Sequence, residues 1–415
     1  MKLNLEIRPI LSALMRSKTG AILVAIQVAI SLAILANAVY IVKLRMDIVS
    51  RPSGVAEENE LFSLSISNRK PAEHAEQLAM QRQDEITIRG VSGVKDVVRV
   101  SQTPLSWSGS TTSVGLDKKA GSARSYASVY VTAKSLMKIW GLKLADGRDF
   151  SPGEYMEIDQ NTSKEFPSVV IITKALAEKL FPGQANAVGK TIYFGSGDDA
   201  DPTRIIGVLD RLQTHGAQIG LKGEQSVVLP IRMSNDPYSK YSIRAAPDQR
   251  ERVMKDVEMV LRKASATPLI INMRSMEGDR SRRYQADRGL AWMLIVVCIL
   301  LLLVTASGIV GISSLWVTQR RKHIGVRRAL GARRVDILRY FLTENLMITS
   351  FGIASGLALA VALNQLLVSK LELTKLPVPY LLGGSVIFWI LGIIAVVGPA
   401  ARAASISPAT ATRST

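Results

Sequence analysis

A chain of 415 residues, 47% apolar and with a net charge of +18, is long enough for two or three domains. No zinc-finger or RNA-binding aromatic signature accompanies the charge, so nucleic acid is not the expected partner. The single cysteine, Cys298, excludes an internal disulfide, and the three histidines (His74, His215, His323) have no metal-ligand spacing.

The charge clusters beside apolar runs. Residues 1–20 hold four bases and one acid, residues 318–344 eight and two, and residues 398–415 two and none. Lys and Arg gather on the cytoplasmic side of membrane proteins, so these three pieces are expected inside. Residues 1–20 are read as a cytoplasmic N-terminus and 21–42 as the first span, interrupted by Gln27, Ser31 and Asn37 facing another helix. Ala36-Asn37-Ala38 has the form of a signal-peptide cleavage site, but the run continues apolar through Val42, which favours a retained span. Either outcome places residue 43 onward outside.

Residues 43–288 read as one large outer α+β domain. Leu61–Ser67, Glu73–Arg89 and Val97–Ser101 read as strand, helix and strand. A similar trio follows at Tyr241–Arg244, Asp248–Ala264 and Leu269–Met273. The two trios predict an α+β subdomain from 43–104 and 231–288, with a β-rich insert at 105–230. In the insert, strands are expected at Ser113–Leu116, Ser128–Val131, Val169–Thr173, Thr191–Phe194, Arg204–Leu209 and Ser226–Leu229, and polar loops at Glu154–Phe166 and Gly195–Pro202.

The second span is placed at 289–317; Trp292 and Trp316, about 36 Å apart on a helix, suit two interfacial belts. Residues 318–344 form an inside segment. The third span is placed at 345–368, where Gly352, Gly356 and Ala360 recur every four residues and form a close-packing face, within the molecule or between two copies. An outer loop at 369–379, a fourth span at 380–398 broken by Pro399, and an inside tail at 399–415 complete the chain. The fold class is therefore a membrane protein of four transmembrane helices with a large α+β extracytoplasmic domain between helices 1 and 2.

The inside segment has helical character. Ile324, Arg327, Arg328 and Gly331 fall at i, i+3, i+4 and i+7, and Gly331 stands where one helix can end and another begin. It is either a basic loop that sets topology and meets lipid phosphates, or a docking helix for a cytoplasmic partner. Chemistry-bearing motifs are few. Gly183 to Thr191 ends in G-K-T, but five residues separate its glycines where a phosphate loop needs four, and a strand follows in place of a helix. A structural turn is expected there. No hydrolase signature appears.

Three stretches resemble the permease subunits of the MacB/FtsX superfamily of bacterial ABC transporters. Arg321 to Ala332, with Asp336 and Glu344, looks like the family's E-I-G-[IV]-R-[RK]-A-[LIM]-G-A motif, with His323 in place of the usual Glu. Gly141–Phe150, Val169–Thr173, Leu180–Gly183, Val188–Lys190 and Ile205–Val208 look like its periplasmic core domain. Pro399–Arg402 with Pro408 and Ala409 is similar to its R-A-A-x-x-x-P-x-x-A ending. The resemblance implies four spans with both termini inside the bacterial inner membrane. It implies a separate cytoplasmic ABC ATPase carrying ATP and Mg, with no cofactor, metal or enzymatic activity in this chain. It also implies a second permease, identical or not, and for exporting members a periplasmic adaptor and outer-membrane channel. The coupling residues it marks are Ile324, Gly325, Arg327, Arg328, Ala329, Leu330, Gly331 and Ala332. The function it implies is relay of ATP-driven motion to the periplasmic domains to extrude an antibiotic, peptide or similar substrate. The alternatives are an FtsX-like transducer that transports nothing and a lipoprotein-releasing permease; the size of the outer domain favours export.

Overall fold

The computed structural model describes residues 18–67, 72–106, 108–119, 124–184, 186–216, 220–234, 238–371 and 375–405. The basic piece before Lys18 and the tail beyond Ser405, with Pro408, Ala409 and Arg413, lie outside the described residues.

The chain opens with α1 (Lys18–Val49) and enters the inserted domain through β1 (Leu61–Ser67), α2 (His74–Arg89) and β2 (Val94–Arg99). There follow β3 (Thr111–Gly115), β4 (Arg124–Val131), α3 (Leu136–Trp140), β5 (Leu144–Gly147), β6 (Met156–Asp159), β7 (Val169–Thr173) and α4 (Lys174–Leu180). Next come β8 (Thr191–Phe194), β9 (Asp201–Leu209), β10 (Ser226–Leu229) and β11 (Ile231–Ser234). The domain closes with β12 (Ser239–Ala245), α5 (Arg250–Ala264), β13 (Ile270–Ser275) and α6 (Met276–Arg283). The chain then runs through α7 (Gln285–Gln319), α8 (Arg321–Ala329), α9 (Arg334–Leu371) and α10 (Val378–Ala404). It divides into two compact units, residues 48–286 and residues 1–47 with 287–415.

In the inserted domain, β13-β1-β12-β2 form one antiparallel sheet. The two β-α-β trios interleave, each inserting a strand between the strands of the other. Val253, Val257 and Leu261 recur every four residues on α5 and bury one stripe beside Phe62, Leu64 and Tyr241. The second sheet runs β5-β9-β7-β10-β4-β3-β8, and β8 also pairs with β9. Six strands thereby close into a barrel, filled by Val114, Ala127, Val170, Ile172, Ile192, Phe194, Ile205 and Val227 among others.

Several sequence readings need correction. Ile231–Ser234, placed in the first subdomain, is β11 and pairs in parallel with β6, so the insert extends past residue 230. That β6 partner lies inside the supposed loop Glu154–Phe166. Only Ile158 of β6 is apolar and buried, so its alternation is too sparse to register as a strand. Gly195–Pro202 is likewise more than a loop: it holds a helical turn at Gly197–Asp199 and the start of β9. Pro399 lies inside α10 and does not end it. The span helices also overrun the apolar runs, most of all α9, which takes in eleven residues assigned to the inside segment. Helices continue wherever hydrogen bonding and packing allow, not only where side chains are apolar.

All four long helices are long and apolar enough to cross a membrane. The small-residue face of α9 packs within the molecule, against α1. A Cβ on Gly352 would lie 2.9 Å from the Ala25 carbonyl oxygen and 2.9 Å from Val28 Cβ, and one on Gly356 would lie 3.0 Å from Ala29 Cα. Ala360 is fully buried, and its carbonyl accepts from Asn37 Nδ2 at 3.1 Å. Where apolar surface gains nothing over lipid, such close backbone approach and polar bonding hold helices together. Ser31 and Thr305 share a hydroxyl hydrogen bond of 2.9 Å, and Gln27 Nε2 donates to the Val304 carbonyl at 3.0 Å.

Gly352→Ala should destabilise the helical unit by about 1–3 kcal/mol through overpacking. Gly383→Ala, where nothing lies within 4 Å of the new Cβ, should not. Thermal unfolding of the two variants in detergent compares them, and equal losses would disprove the seam.

Candidate functional site

The basic connector between α7 and α9 is a built structure, not a loose loop. α8 ends in a left-handed glycine. Gly331 has φ +97°, Gly331 N–H donates to the Arg328 carbonyl at 3.2 Å and Ala332 N–H to the Arg327 carbonyl at 3.0 Å. This 5→2 and 6→1 pairing is a Schellman turn, which glycine adopts without Cβ strain. The next helix starts at once: the Asp336 carboxylate accepts from Arg333 N–H at 2.9 Å, satisfying a donor that the first turn of α9 leaves free.

Two ties hold the connector to the spans. Arg320, between α7 and α8, donates through Nη1 to both carboxylate oxygens of Glu344 at 2.8 and 2.9 Å and to the Tyr340 hydroxyl at 3.3 Å. Its guanidinium lies 5.7 Å from the Trp316 ring, within cation–π range. The Glu344 side chain is 1% exposed, so Arg320 is the cation that makes its burial tolerable. At the other end, Arg328 Nη1 donates to the Ala404 carbonyl at 2.8 Å, placing a cation on the C-terminal turn of α10. Arg327 lies 5.2 Å over the Tyr340 ring.

The eight residues marked as coupling residues therefore divide. Ile324 and Gly325 are buried, with Ile324 in the apolar core of the helical unit beside Ile337 and Phe341. Ile324 is thus a packing residue and offers no docking surface; its spacing on the helix could not distinguish the two roles. Arg328 is half-buried and engaged, and Ala332 is half-buried. Arg327, Ala329, Leu330 and Gly331 face solvent, and Leu330 is 84% exposed. Val326 joins them at 53% exposed; the sequence reading left it out. It also left out the Arg320–Glu344 pair, because no local spacing connects residues that meet only when two helices fold back.

Other suspected chemistry resolves into structure. In the G-K-T stretch, Gly183 and Gly189 have positive φ, Gly189 N–H donates to the Ile205 carbonyl at 2.7 Å, and Thr191 begins β8. Lys190 bonds Gln184 and lies 4.4 Å over the Phe181 ring, so its ammonium is engaged within the domain. Ser128 Oγ lies 2.7 Å from His215 Nδ1, but Ser128 is 1% exposed and sealed from any substrate. Burial, then the nearby Arg283 charge, push the His215 imidazole below its ordinary range. Among the described residues, no group of three His, Cys, Asp or Glu could hold a metal.

A four-helix membrane unit with an α+β domain between its first two helices defines a permease of the FtsX and MacB architecture. The family described as MacB-like periplasmic core domain matches residues 21–260, and that described as FtsX-like permease C-terminal matches residues 295–412. The chain belongs to the MacB/FtsX superfamily of ABC transporter permeases, and it is a multi-pass inner-membrane protein. It is 28% identical over 273 residues to the macrolide export ATP-binding/permease protein MacB of Agrobacterium fabrum, covering 62% of this chain and 38% of the relative. It is 27% identical over 285 residues to the pyoverdine export ATP-binding/permease protein PvdT of Pseudomonas fluorescens, covering 66% and 41%. The chain thus spans about two fifths of the length of these relatives. The solved extracellular domain of the noncanonic ABC-type transporter YknZ from Gram-positive bacteria aligns with 52% of this chain and 99% of its own, at 20% identity and a TM-score of 0.34.

Arg320→Ala leaves the Glu344 carboxylate buried without its cation. It should cost about 3 kcal/mol and open the connector, whereas Glu344→Gln, which removes the charge with its partner retained, should cost less. Thermal unfolding and limited proteolysis at residues 320–333 measure both; wild-type protease resistance in Arg320→Ala would overturn the tie.

Proposed function

We propose that this chain is the permease subunit of a MacB-type ABC transporter, relaying motion of a separate cytoplasmic ATPase to its own periplasmic domain to extrude a substrate. One observation carries the reading. The helix α8 turns Val326 and Leu330 outward beside arginines while its other face is fastened to α9 and α10. An exposed leucine with Arg327, Arg328, Arg333 and Arg334 close by in sequence suits a docking surface with an apolar centre and a charged rim. A partner that grips it moves two spans together.

ATP and Mg belong to the partner ATPase, which meets Leu330 with apolar surface and Arg327 with carboxylates. A second permease, identical or not, completes the pair, and an adaptor with an outer-membrane channel continues the path where the substrate leaves the cell. The two relatives are named for export of macrolides and pyoverdine, which favours export over signalling or lipoprotein release. The bias of the basic pieces supports a cytoplasmic α8 and cytoplasmic termini, with the inserted domain in the periplasm.

Orientation is checked with single cysteines at Ser110 and Ser405 in a Cys298→Ser background. An impermeant thiol reagent on cells with a permeabilised outer membrane should label Ser110→Cys alone; labelling of both positions would refute the topology.

Leu330→Asp should leave insertion and expression intact while ATPase stimulation and export fall together, by the roughly 5- to 150-fold that a lost contact of about 1–3 kcal/mol implies. Ile324→Asp should instead deplete folded protein, because that side chain is 5% exposed. If the connector only set topology, Leu330→Asp would be silent.

A further inference from the structure

The helical unit carries a groove that the coupling reading does not use. It runs between α1 and α9 and has a volume of about 790 Å³, within the roughly 300–1,000 Å³ of ordinary ligand sites. Ile22, Ile26 and Ile30 form one wall, Phe351 and Leu359 the other, and Lys18 stands at one end. The walls are open: Ile26 is 54% exposed and Phe351 71%. The groove follows from the glycine seam. Gly352 and Gly356 draw the helices together over Ala25 and Ala29, and the large side chains of both flank that narrow floor.

Length decides what fills it. Lys18 to Ile30 is about 18 Å at roughly 1.5 Å per residue, close to the ~15 Å hydrocarbon depth of one leaflet. Past Ile30, α1 changes character: Ser31, Leu32, Ala33 and Leu35 to Ala38 are all buried in the bundle. A transmembrane helix of a second copy would need a contact face through the full ~30 Å hydrocarbon core. This face closes at half that depth, where an acyl chain ends.

Charge decides the orientation. Lys18 is the charged residue of the lining, and it stands at the end of α1 where Gly20 meets Trp316, the belt residue next to the basic connector. A lysine ammonium is a flexible point charge suited to a phosphate. An apolar slot one leaflet deep with a cation at its surface end matches a lipid on both counts.

We propose that this groove is a phospholipid site. One glycerophospholipid, from the leaflet on the connector side, lays an acyl chain between α1 and α9 and sets its phosphate against Lys18. The lipid covers the glycine seam from outside, so the α1–α9 contact is sealed by a molecule that the chain does not encode.

The test uses the full chain in nanodiscs containing phosphatidylglycerol with a photoactivatable diazirine on its acyl chain, and labelled residues are mapped by mass spectrometry. Label should concentrate on Ile22, Ile26 and Phe351, well above the exposed face of α10 at Ile387, Ile390 and Ile394, which serves as the control for annular lipid. Ser355→Trp fills the groove from an exposed position and should bring groove labelling down to the control level. Lys18→Gln, at an exposed helix end, should lower it with no repacking at all. Equal labelling of groove and control face in the unaltered protein would overturn the proposal in favour of annular lipid. So would an unlabelled groove together with a disulfide between two Ile26→Cys, Cys298→Ser chains, which would make a second copy the occupant.

Discussion

The buried Glu344 carboxylate sets the geometry of the membrane unit at its basic end. A charge with 1% of its side chain exposed is not stable alone, and among the described residues the cation paired with it is Arg320, at the joint between α7 and α8. That pairing fixes where the second span helix stops and how the connector leaves it. Tyr340 and Trp316 lie beside the guanidinium, Arg327 lies over the Tyr340 ring, and Arg328 fastens the same short helix to the end of α10. Three of the basic residues that count toward membrane orientation are therefore also structural ligands. The positive-inside bias and the architecture of the connector are two uses of the same side chains.

The rest of the unit depends on α1. Lipid gives no hydrophobic reason for helices to associate, so the first span is held by backbone proximity and a few polar bonds. It meets α9 through Gly352, Gly356 and Ala360, and α7 through Ser31–Thr305 and Gln27. Asn37 makes the polar interruptions of the first span intelligible: its amide donates to Ala33 within α1 and to Ala360 across the seam. Residues Ala36–Ala38, which have the form of a cleavage site, lie buried in the middle of a continuous helix.

The fold class was legible because its signals are strong and local. Four apolar runs, a long polar stretch between the first two, and β-α-β trios at both ends of that stretch need only hydropathy and periodicity to read. What escaped was non-local or weakly patterned. Nothing in the sequence says that β8 returns to β9 and closes a barrel, since strand partners are chosen by the whole sheet. The strand β6 carries too few apolar residues to show a period of two. At the connector, the motif located the helix and the turn at Gly331, but it counted Ile324 among the coupling residues, and that side chain packs inward. On a nine-residue helix between two spans, the apolar stripe that packs inward and the apolar residues that point outward are separated by one or two positions. Only the fold shows which stripe is which.

That separation bears on why the connector exists in this form. A loop whose task is to carry charge needs arginines and no fixed shape; disordered bases would serve as well. Here the chain commits a glycine to φ +97°, caps the next helix with Asp336, and orders Arg320, Arg327 and Arg328 against defined partners. Ordering each long side chain costs conformational entropy that a topogenic signal has no reason to spend. The outcome of that order is a short helix with Ile324 locked inward and Leu330, 84% exposed, held outward at its end. An apolar side chain held rigidly in water is unfavourable for an isolated chain and favourable for a surface that another protein covers. Rigidity on the inner face and exposure on the outer one are the two properties that a lever needs: a place to be gripped, and a backing that does not yield.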